Sequence, residues 1–383
     1  MKPKFYIITT VPESLCFFDG QYELLSKSFD IRLVSSIRDE LVQYGKEHDV
    51  KVHYIPMRRE ISLWADLKGL FLFVIYFLKE RPQIVHGNTP KGSLLSMLAA
   101  WLTRRPVRIY MCHGLRYQGC KGFKRWLLMT MERITCLCAT DVMCVSKGVA
   151  EVLQSDNITH KQPVVIWNGS VQGIDIKKFD PSKPFDCDSK LKQYGLKKED
   201  FILTFVGRIV RDKGIQELVE AFDELSKMHN DIRLLLIGGV EQGDNEIDET
   251  TKQLIEKNKG IVAPGPQYDI PEILAITNLF VFPSYREGFG LSLMEAGAMG
   301  VPSIASNIIG CNEVVEDGKT GILIPSHSVQ AIVEAVNKMY SDKILYETMR
   351  KNCRDSIVNR YEQQKLFSKF NEFYCMKSKL IKD

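Results

Sequence analysis

Two carboxylates with seven residues between them are the first groups in this sequence that could do chemistry. Glu287 and Glu295 stand in the stretch REGFGLSLMEA, directly after the apolar run LFVFPS. Such a pair could act as a catalytic acid and base, hold a metal ion, or hold two parts of one ligand. The glycines between them argue against a helix through Glu287, which we therefore expect in a loop. The following helix should begin at Leu291 or Ser292, with Glu295 about one turn inside it.

A metal site is the weakest of these three interpretations. The surrounding sequence brings no histidine or further carboxylate close to Glu287 and Glu295, as a coordination shell would need. The two residues therefore suit a pair of hydrogen-bond acceptors for hydroxyl groups better. The alternative is that Glu295 only interacts with the positive end of its helix, while Glu287 is a solvated surface residue.

A second stretch, VGRIVRDKG, carries groups that suit a diphosphate. A predicted strand ends at Gly207, where a glycine lets the backbone approach a ligand closely, and Arg208 and Lys213 follow. An arginine forks onto phosphate oxygens, a lysine adds a compact charge, and the amino end of the next helix adds partial positive charge. A plain strand-to-helix turn with two solvated cations is the alternative that this stretch alone leaves open.

Strand and helix patterns alternate along the chain and divide it into two halves. The first half has predicted strands at KFYIITT, FDIRLVSS, VKVHYIPM, QIVHGNT, VRIYMCHG, DVMCVS and PVVIWNGS, and a predicted helix over 63–80. The pattern restarts with FILTFVGR and continues through IRLLLIGG, GIVAPG, LFVFPS and PSIAS. This alternation predicts parallel sheets with helices on both faces, and hence an α/β protein with two doubly wound, Rossmann-like domains.

A polar stretch near 175–200 marks the boundary between the halves. A chain of 383 residues is long for one hydrophobic core, which favours two domains. We expect a first domain over 1–175 and a second over 176–359, with a C-terminal helix over about 360–383 that packs back on the first. Ligands of open α/β sheets bind beyond the carboxyl ends of the strands, so we expect the domains to face each other across a cleft.

Composition narrows the class of protein and its compartment. The net charge of +4 is too small to indicate nucleic-acid binding, and ten cysteines without CxxC pairs favour buried thiols in a reducing compartment. The amino terminus has a strand pattern instead of a signal peptide, and the most apolar run, 69–78, is about half the length that spans a bilayer. A cytoplasmic protein is expected. Basic and aromatic residues crowd 104–133, which either lies on an anionic lipid surface or forms a solvated helix face.

The order and spacing of the motifs resemble a known family. GRIVRDKG, followed downstream by FPSYREGFGLSLMEAGAMGVPSIAS, looks like the C-terminal half of the retaining glycosyltransferases of GT-B fold called family 4. In the first half, VHGNTPKGSLLSMLAAW and RIYMCHGLRYQG resemble the branch that builds bacterial capsule and other lipid-linked surface polysaccharides. The resemblance covers nearly the whole chain and implies the GT-B fold.

The resemblance also implies a reaction. It is the transfer of a hexosyl or N-acetylhexosaminyl group, with retention of configuration, from a nucleotide diphosphate sugar, most simply a UDP-sugar. The implied acceptor is a polyprenyl-diphosphate-linked saccharide. No metal or other cofactor is expected, because Arg208 and Lys213 can carry the charge of the leaving group. Peripheral contact with the inner face of the cytoplasmic membrane is expected, and a nucleic-acid partner is not.

The same resemblance assigns roles to individual residues. The predicted catalytic residues are His113, Arg208, Lys213 and Glu287. The predicted donor-binding residues are Gly20, Gly207, Val262, Gly288, Phe289, Gly290, Leu291 and Glu295. The predicted acceptor-binding residues are Asn88, Thr89, Lys91 and Arg116. In this assignment the two cations hold the diphosphate, Glu287 lies under the donor sugar, and Glu295 binds the ribose hydroxyls.

Other functional classes stay open on the sequence alone. A nucleotide-sugar 2-epimerase of the same architecture would change a sugar without any acceptor. A non-catalytic sugar-nucleotide-binding or lipid-binding protein would bind the donor without turnover. A NAD-dependent dehydrogenase is disfavoured, because IGGVEQGD lacks the G-x-G-x-x-G fingerprint of dinucleotide-binding folds.

Overall fold

The structure is a computed structural model that describes residues 2–241, 243 and 245–380. It divides into two compact units. The first domain comprises Met1–Gln172 and Gln364–Asp383, and the second domain comprises Gly173–Gln363. The sequence places the boundary at 175/176 and the return to the first domain at about 360. Residue 1 of the predicted first domain and residues 381–383 of the predicted C-terminal helix lie outside the described residues.

The first domain contains a six-stranded parallel sheet in the order β3-β2-β1-β4-β5-β6. Its strands are β1 (Lys4–Ile8), β2 (Asp30–Ser35), β3 (Lys51–Tyr54), β4 (Ile84–Gly87), β5 (Val107–Cys112) and β6 (Asp141–Cys144). Its helices are α1 (Tyr22–Ser28), α2 (Arg38–Glu47), α3 (Leu63–Glu80), α4 (Pro90–Leu102), α5 (Gly122–Cys138) and α6 (Lys147–Ser155). The prediction of a helix over 63–80 is confirmed by α3.

The predicted strand at PVVIWNGS is wrong. This segment makes an isolated bridge between Val164 and Met143 at the edge of β6, and it does not continue as a strand. Trp167 has a φ of 53° and Gly169 a φ of 94°, both in the left-handed region. The chain therefore turns where the β-branched residues of the sequence suggest extension, and the ladder ends.

The second domain contains another six-stranded parallel sheet, in the order β12-β11-β10-β7-β8-β9. Its strands are β7 (Phe201–Val206), β8 (Ile232–Ile237), β9 (Ile261–Gly265), β10 (Leu279–Phe282), β11 (Ser303–Ser306) and β12 (Gly321–Ile324). Its helices are α7 (Cys187–Gln193), α8 (Ile215–Met228), α9 (Glu249–Lys257), α10 (Ile270–Ala275), α11 (Leu291–Ala298), α12 (Val329–Ser341) and α13 (Lys343–Tyr361). The edge strand β12 is an element that the sequence patterns did not predict.

The central strands are apolar because helices cover both faces of each sheet. Leu234, Leu235 and Leu236 are consecutive residues of β8, and all three are fully buried although their side chains alternate between the faces. This continuous burial confirms the predicted α/β class with two doubly wound sheets.

Each sheet has one point where the strand order reverses. In the first domain the chain runs outward from β1 to β3 and resumes on the other side of β1 with β4. In the second domain the same reversal separates β7 from β10. The loops that leave the two strands diverge at such a point, and the crevice between them is where open α/β sheets bind ligands.

The last helix, α14 (Gln363–Lys379), belongs over almost all its length to the first domain. Tyr374 packs on Phe5 of β1 with ring centroids 4.9 Å apart, and its hydroxyl lies 3.0 Å from Nε2 of His86. Lys377 forms an ion pair with Asp141. Within the described part of the chain, no helix is long and apolar enough to cross a membrane.

Candidate functional site

Glycines let the loops at the reversal point of the second domain meet. At the end of the neighbouring strand β8, a Cβ on Gly238, which has a φ of 152°, would lie 1.7 Å from the carbonyl oxygen of Gly207. A Cβ on Gly214, which has a φ of 68°, would lie 2.1 Å from the carbonyl oxygen of Pro283. Larger residues would push these backbones apart. The turn after β7 is therefore packed directly on the loop after β10, as a shared binding crevice requires.

Asp212 ties the loop after β10 to the turn after β7. The backbone N–H of Tyr285 donates to the carbonyl of Asp212 at 2.8 Å, and Nε of Arg286 donates to the Asp212 carboxylate at 2.8 Å. The hydroxyl of Tyr285 donates to the carboxylate of Glu217 at 2.5 and 2.6 Å. These contacts come from backbone and side chain together, so the residue that follows, Glu287, is held opposite the turn after β7.

Lys213 and Glu287 form an ion pair across this crevice. Their side chains are 17% and 13% exposed, and the lysine nitrogen lies 5.0 Å from the ring centroid of Phe282. The structure thus brings together two of the predicted catalytic residues. Sequence reasoning gave them separate parts of the ligand and missed the contact, because 74 positions separate them along the chain.

Arg208 has a different partner and a different environment. Its guanidinium donates to the carboxylate of Glu241 at 2.7 Å, with the two side chains 60% and 49% exposed. An exposed ion pair contributes about 0–1 kcal/mol. Arg208 can therefore leave Glu241 for an anionic ligand at little cost, whereas Lys213 is fixed in place by its buried pair.

Gly310 contacts the segment between Glu287 and Glu295. The N–H of Gly290 donates to the carbonyl of Gly310 at 3.0 Å. The carbonyl of Gly288 lies so close to Gly310 that it leaves no room for a Cβ there. The ring of Phe289 packs edge-on against Tyr361 at 5.4 Å. Helix α11 begins at Leu291, which confirms the predicted helix start.

Glu295 lies on α11 in surroundings that disfavour its charge. Burial raises the pKa of its carboxyl to about 7, and Lys178 opposes this rise. The side chain keeps part of its surface exposed. A carboxyl that is half ionised near neutral pH, and partly accessible, can accept hydrogen bonds from the hydroxyl groups of a ligand.

Val262 lies in β9, whose predicted existence is confirmed. It pairs with Leu235 of β8 and is partly buried. Its side chain packs beside the small apolar cluster of Ile202, Ile237 and Ile273. Val262, predicted to bind donor, therefore lies on the other side of β7 from Glu287.

Hydroxyl and amide groups form hydrogen bonds at the point where the strand order of the first domain reverses. Oγ1 of Thr89 accepts from the N–H of Thr10 at 2.7 Å, which links the loop after β4 to the loop after β1. Nδ2 of Asn88 donates to the carbonyl of His86 at 3.0 Å, and Asn88 is 1% exposed. Asn88 and Thr89, both predicted to bind acceptor, therefore hold the loops that border this crevice.

Lys91, which is also predicted to bind acceptor, has a buried side chain. Its side chain is 7% exposed and forms an ion pair with Asp66 at 2.8 Å. It also donates to the carbonyl of Glu60. Lys91 stands in the first turn of α4 and turns toward α3, so its charge is used to hold these two helices together. The predicted acceptor contact of Lys91 has no support from this geometry.

His113 and Arg116 follow the end of β5. The ring of His113 stacks on Phe17 with centroids 4.8 Å apart, and its Nε2 is buried without a hydrogen-bond partner among the described residues. Burial lowers the pKa of His113 to about 4, so the imidazole is neutral at physiological pH. Arg116 begins the 3₁₀ turn Arg116–Gly119 and is exposed. His113 thus has a buried nitrogen that a ligand could pair, and Arg116 is an exposed cation.

Gly20 lies in the loop after β1, with a φ of 80°. It follows a 3₁₀ turn over Pro12–Phe18, which was not predicted, and α1 begins two residues later at Tyr22. Gly20 is exposed at this position.

Comparisons with known proteins agree with this architecture. A model of Glycosyl transferases group 1 matches residues 186–356, and a model of Glycosyltransferase Family 4 matches residues 23–170. The chain is 36% identical over 375 residues to the capsular polysaccharide biosynthesis glycosyltransferase CapM of Staphylococcus aureus, covering 97% of this chain and 96% of that protein. This chain is a family 4 glycosyltransferase.

Two further comparisons extend the relationship. The glycosyltransferase is 30% identical to the UDP-Gal:alpha-D-GlcNAc-diphosphoundecaprenol alpha-1,3-galactosyltransferase of Escherichia coli, over 92% of this chain and 91% of that one. The crystal structure of HepE of Anabaena with UDP and glucose matches its fold with a TM-score of 0.81 at 19% identity, over 97% of this chain and 99% of that one. The fold is therefore GT-B, as the motifs implied.

A buried carboxyl of the glycosyltransferase escaped the sequence analysis. Glu132 of α5 is 7% exposed and accepts a hydrogen bond from the hydroxyl of Tyr110 at 2.6 Å. Burial raises the pKa of Glu132 to about 7, against smaller opposing effects of Tyr110 and Arg116. The available signal was its spacing, because Glu132 shares a helix face with the buried Thr135 and Cys136.

Replacement of Glu132 by glutamine is expected to change the pH dependence of stability. A carboxyl with a raised folded-state pKa stabilises the fold below its unfolded pKa of about 4.5, and this contribution is lost as the pH rises through about 7. Glutamine stays neutral and can still accept from Tyr110. The variant should match the wild type near pH 4.5 and exceed its free energy of unfolding by up to about 3 kcal/mol near pH 9.

Chemical denaturation across this pH range measures the difference. A difference that does not vary with pH would show that the fold does not raise the pKa of Glu132.

Proposed function

We propose that this protein is a retaining glycosyltransferase that moves a sugar from a UDP-sugar to a polyprenyl-diphosphate-linked saccharide in the synthesis of capsule or another surface polysaccharide. The observation that carries the donor part is the crevice between β7 and β10. There the turn that contains Arg208 and Lys213 packs on the loop that contains Glu287. Two cations beside a loop that carries the carboxylate of Glu287, at the reversal point of a parallel sheet, suit a nucleotide diphosphate that carries a sugar.

The cations act on the leaving group. As the glycosidic bond breaks, negative charge grows on the diphosphate, and Arg208 and Lys213 stabilise it in the transition state. The departing phosphate takes the proton of the acceptor hydroxyl as that hydroxyl attacks from the same face, which retains the configuration of the sugar. Glu287 positions the sugar and Glu295 accepts from the ribose hydroxyls. Because two side-chain cations carry the charge, we propose that the reaction needs no metal ion.

The proposed backbone contacts follow the shape of the loops. Gly207 at the end of β7, and Gly288, Phe289, Gly290 and Leu291 before α11, contact the diphosphate and the sugar. Gly20 approaches the diphosphate from the loop after β1, and the backbone of Val262 contacts the base. Nε2 of the neutral His113 has no hydrogen-bond partner among the described residues, so it can hydrogen-bond a sugar hydroxyl near the reacting carbon.

The acceptor class follows from the relatives. The Escherichia coli galactosyltransferase is named for a saccharide on diphosphoundecaprenol, and the Staphylococcus aureus relative for capsular polysaccharide. A lipid-linked acceptor lies at a membrane surface, so we propose that the enzyme works at the inner face of the cytoplasmic membrane as a peripheral protein. Asn88, Thr89 and Arg116 are the proposed acceptor-side residues.

A reaction with a donor panel tests this function. The protein is incubated with UDP-, GDP-, ADP- or dTDP-linked sugars and a lipid extract, with and without EDTA, and nucleotide release and acceptor mass are followed by mass spectrometry. We expect UDP release that EDTA leaves unchanged, and an acceptor one sugar heavier in the α-configuration by NMR for an α-linked donor. Absence of nucleotide release from every donor, in the wild type as in Arg208→Ala, would refute the proposal. A changed sugar without acceptor would favour the 2-epimerase.

Substitutions of Arg116 and Lys91 should have opposite consequences. Arg116→Ala is expected to raise the KM for the acceptor about tenfold, as the loss of a charged hydrogen bond does. Lys91→Met leaves Asp66 without its ion-pair partner and should lower stability by about 3 kcal/mol with an unchanged acceptor KM. Steady-state kinetics and thermal denaturation of both variants measure the contrast. If Lys91→Met raises the acceptor KM and keeps its Tm, Lys91 is an acceptor ligand after all.

A further inference from the structure

Helix α3 has an exposed face that is apolar along its whole length. Trp64 is 83% exposed and Phe71 is 64% exposed. The exposed large apolar residues of the helix are Leu63, Trp64, Leu67, Phe71, Ile75 and Leu78. At about 100° per residue they occupy an arc of about 120°, away from the buried Phe73 and Phe77. Soluble monomers rarely leave such a continuous apolar stripe in water, so the stripe indicates a binding surface.

The charges of α3 are divided between its two faces. Asp66 forms an ion pair with Lys91 at 2.8 Å, and Glu80 forms one with Arg32 at 2.9 Å. Both carboxylates are therefore paired with cations on the side of α3 that faces the first domain. The helix is described in full, and its exposed charged residues are Lys68 and Lys79. Solvent therefore meets an apolar stripe with positive charge beside it.

The neighbouring helices continue this pattern. Helix α4 packs against both α3 and α5, so the three form one layer on the sheet. Near its end α4 exposes Trp101, which is 53% exposed. On α5, Phe123 and Trp126 are 73% and 56% exposed and stack at 5.5 Å, close to the exposed Lys124. We call the exposed side chains of α3, α4 and α5 together the α3–α5 surface.

We propose that the α3–α5 surface docks on an anionic lipid bilayer, with α3 lying in the headgroup region and its apolar stripe turned into the acyl chains. Tryptophans prefer the interface between headgroups and hydrocarbon, and lysines beside them attract anionic lipids. The inference rests on the proposed function in that a lipid-linked acceptor requires the enzyme at a membrane. It goes further by assigning the apolar anchor to α3, outside the basic stretch of 104–133.

Charge favours a bilayer over a second copy of this chain. In a two-fold symmetric dimer the same patch faces itself, so the exposed lysines of the two copies would be brought together. Like charges oppose such a contact, whereas phosphate headgroups neutralise them.

Vesicle co-sedimentation of the full chain, without donor or acceptor, tests the proposal. The vesicles contain phosphatidylglycerol and phosphatidylcholine in equal parts, and the double variant Trp64→Asp/Phe71→Asp is compared with the wild type. We expect the partition coefficient of the double variant to fall about tenfold or more, because charged groups replace two of the inserted side chains. Lys68→Gln should lower it about fivefold on these vesicles and leave it unchanged on pure phosphatidylcholine.

Ile344→Asp is the matched control. Ile344 is 83% exposed and lies in the second domain, so the same change of an exposed apolar residue to aspartate should leave vesicle binding within about twofold. Wild-type protein that does not bind the vesicles, or a double variant that binds as well as the wild type, would overturn the proposal. So would a dimer, detected by light scattering, that the double variant dissociates while vesicle binding persists.

Transfer to detergent-solubilised acceptor separates this inference from the proposed function. The double variant should keep wild-type turnover in detergent micelles and lose it with acceptor embedded in vesicles. A wild type that binds vesicles but transfers no sugar in either form would contradict the proposed function and leave the docking surface supported.

Discussion

Replacement of Arg208 by alanine is expected to lower kcat about 100- to 1000-fold, the loss that follows removal of one hydrogen-bond donor to charge that develops in a transition state. The fold should be unaffected, because the pair of Arg208 and Glu241 is exposed and contributes about 0–1 kcal/mol. Initial rates of nucleotide release and thermal denaturation of the same preparation measure both quantities.

Two neighbouring substitutions make the result specific. Arg211→Ala removes a second arginine of the same turn, whose guanidinium donates to the carbonyl of Glu246 at 3.4 Å, and kcat should stay within about threefold. Glu241→Gln frees Arg208 without removing it and should leave kcat at or above the wild-type value. Equal losses in Arg208→Ala and Arg211→Ala would mean that the diphosphate responds to overall charge, with no dedicated arginine.

Replacement of Lys213 by methionine is expected to lower both stability and activity. The pair of Lys213 and Glu287 is largely buried, so methionine leaves a carboxylate that is neither paired nor well solvated, at a cost of about 3 kcal/mol. The same variant removes a cation from the proposed diphosphate site, which should lower kcat by at least about 100-fold. Urea denaturation gives the first number and single-turnover kinetics the second.

The double variant Lys213→Met/Glu287→Gln separates the two effects. Without any charge in the pair, its free energy of unfolding should return to within about 1 kcal/mol of the wild type, since a neutral pair of similar volume packs as well. Its turnover should stay at the level of Lys213→Met. Recovery of activity together with stability would contradict a catalytic role and leave Lys213 as a structural residue.

Much of the fold could be predicted from the sequence because its elements follow strong local patterns. Helix α3 was predicted to the residue, and α11 begins where the glycines before Leu291 end. The failures have physical reasons. The segment 163–170 has β-branched residues but bends through left-handed backbone at Trp167 and Gly169, a feature that apolar periodicity does not encode. Strand β12 lies at the edge of its sheet and is buried only at its two ends, so its burial has neither the alternation of a half-buried strand nor the continuity of a central one.

The candidate site could be predicted as a set of residues but not as a set of contacts. Motif spacing singled out Arg208, Lys213 and Glu287, and the structure brings the turn of the first two onto the loop of the third. Which carboxylate pairs with which cation depends on how β7 and β10 lie side by side, and that is a property of strand order. Lys91 shows the same limit, because its burial depends on Asp66 of α3, a partner that spacing alone does not reveal.

The position of α14 has a consequence for the order in which the protein is built. Phe5 and His86, made early during translation, are covered by Tyr374 near the end of the chain. Domains usually fold as they emerge from the ribosome, in order from the amino terminus. The first sheet therefore lacks α14, the last helix that covers it, until the second domain has been synthesised. During that interval an apolar face of the first domain is uncovered, and it is then that a chaperone has a surface to bind.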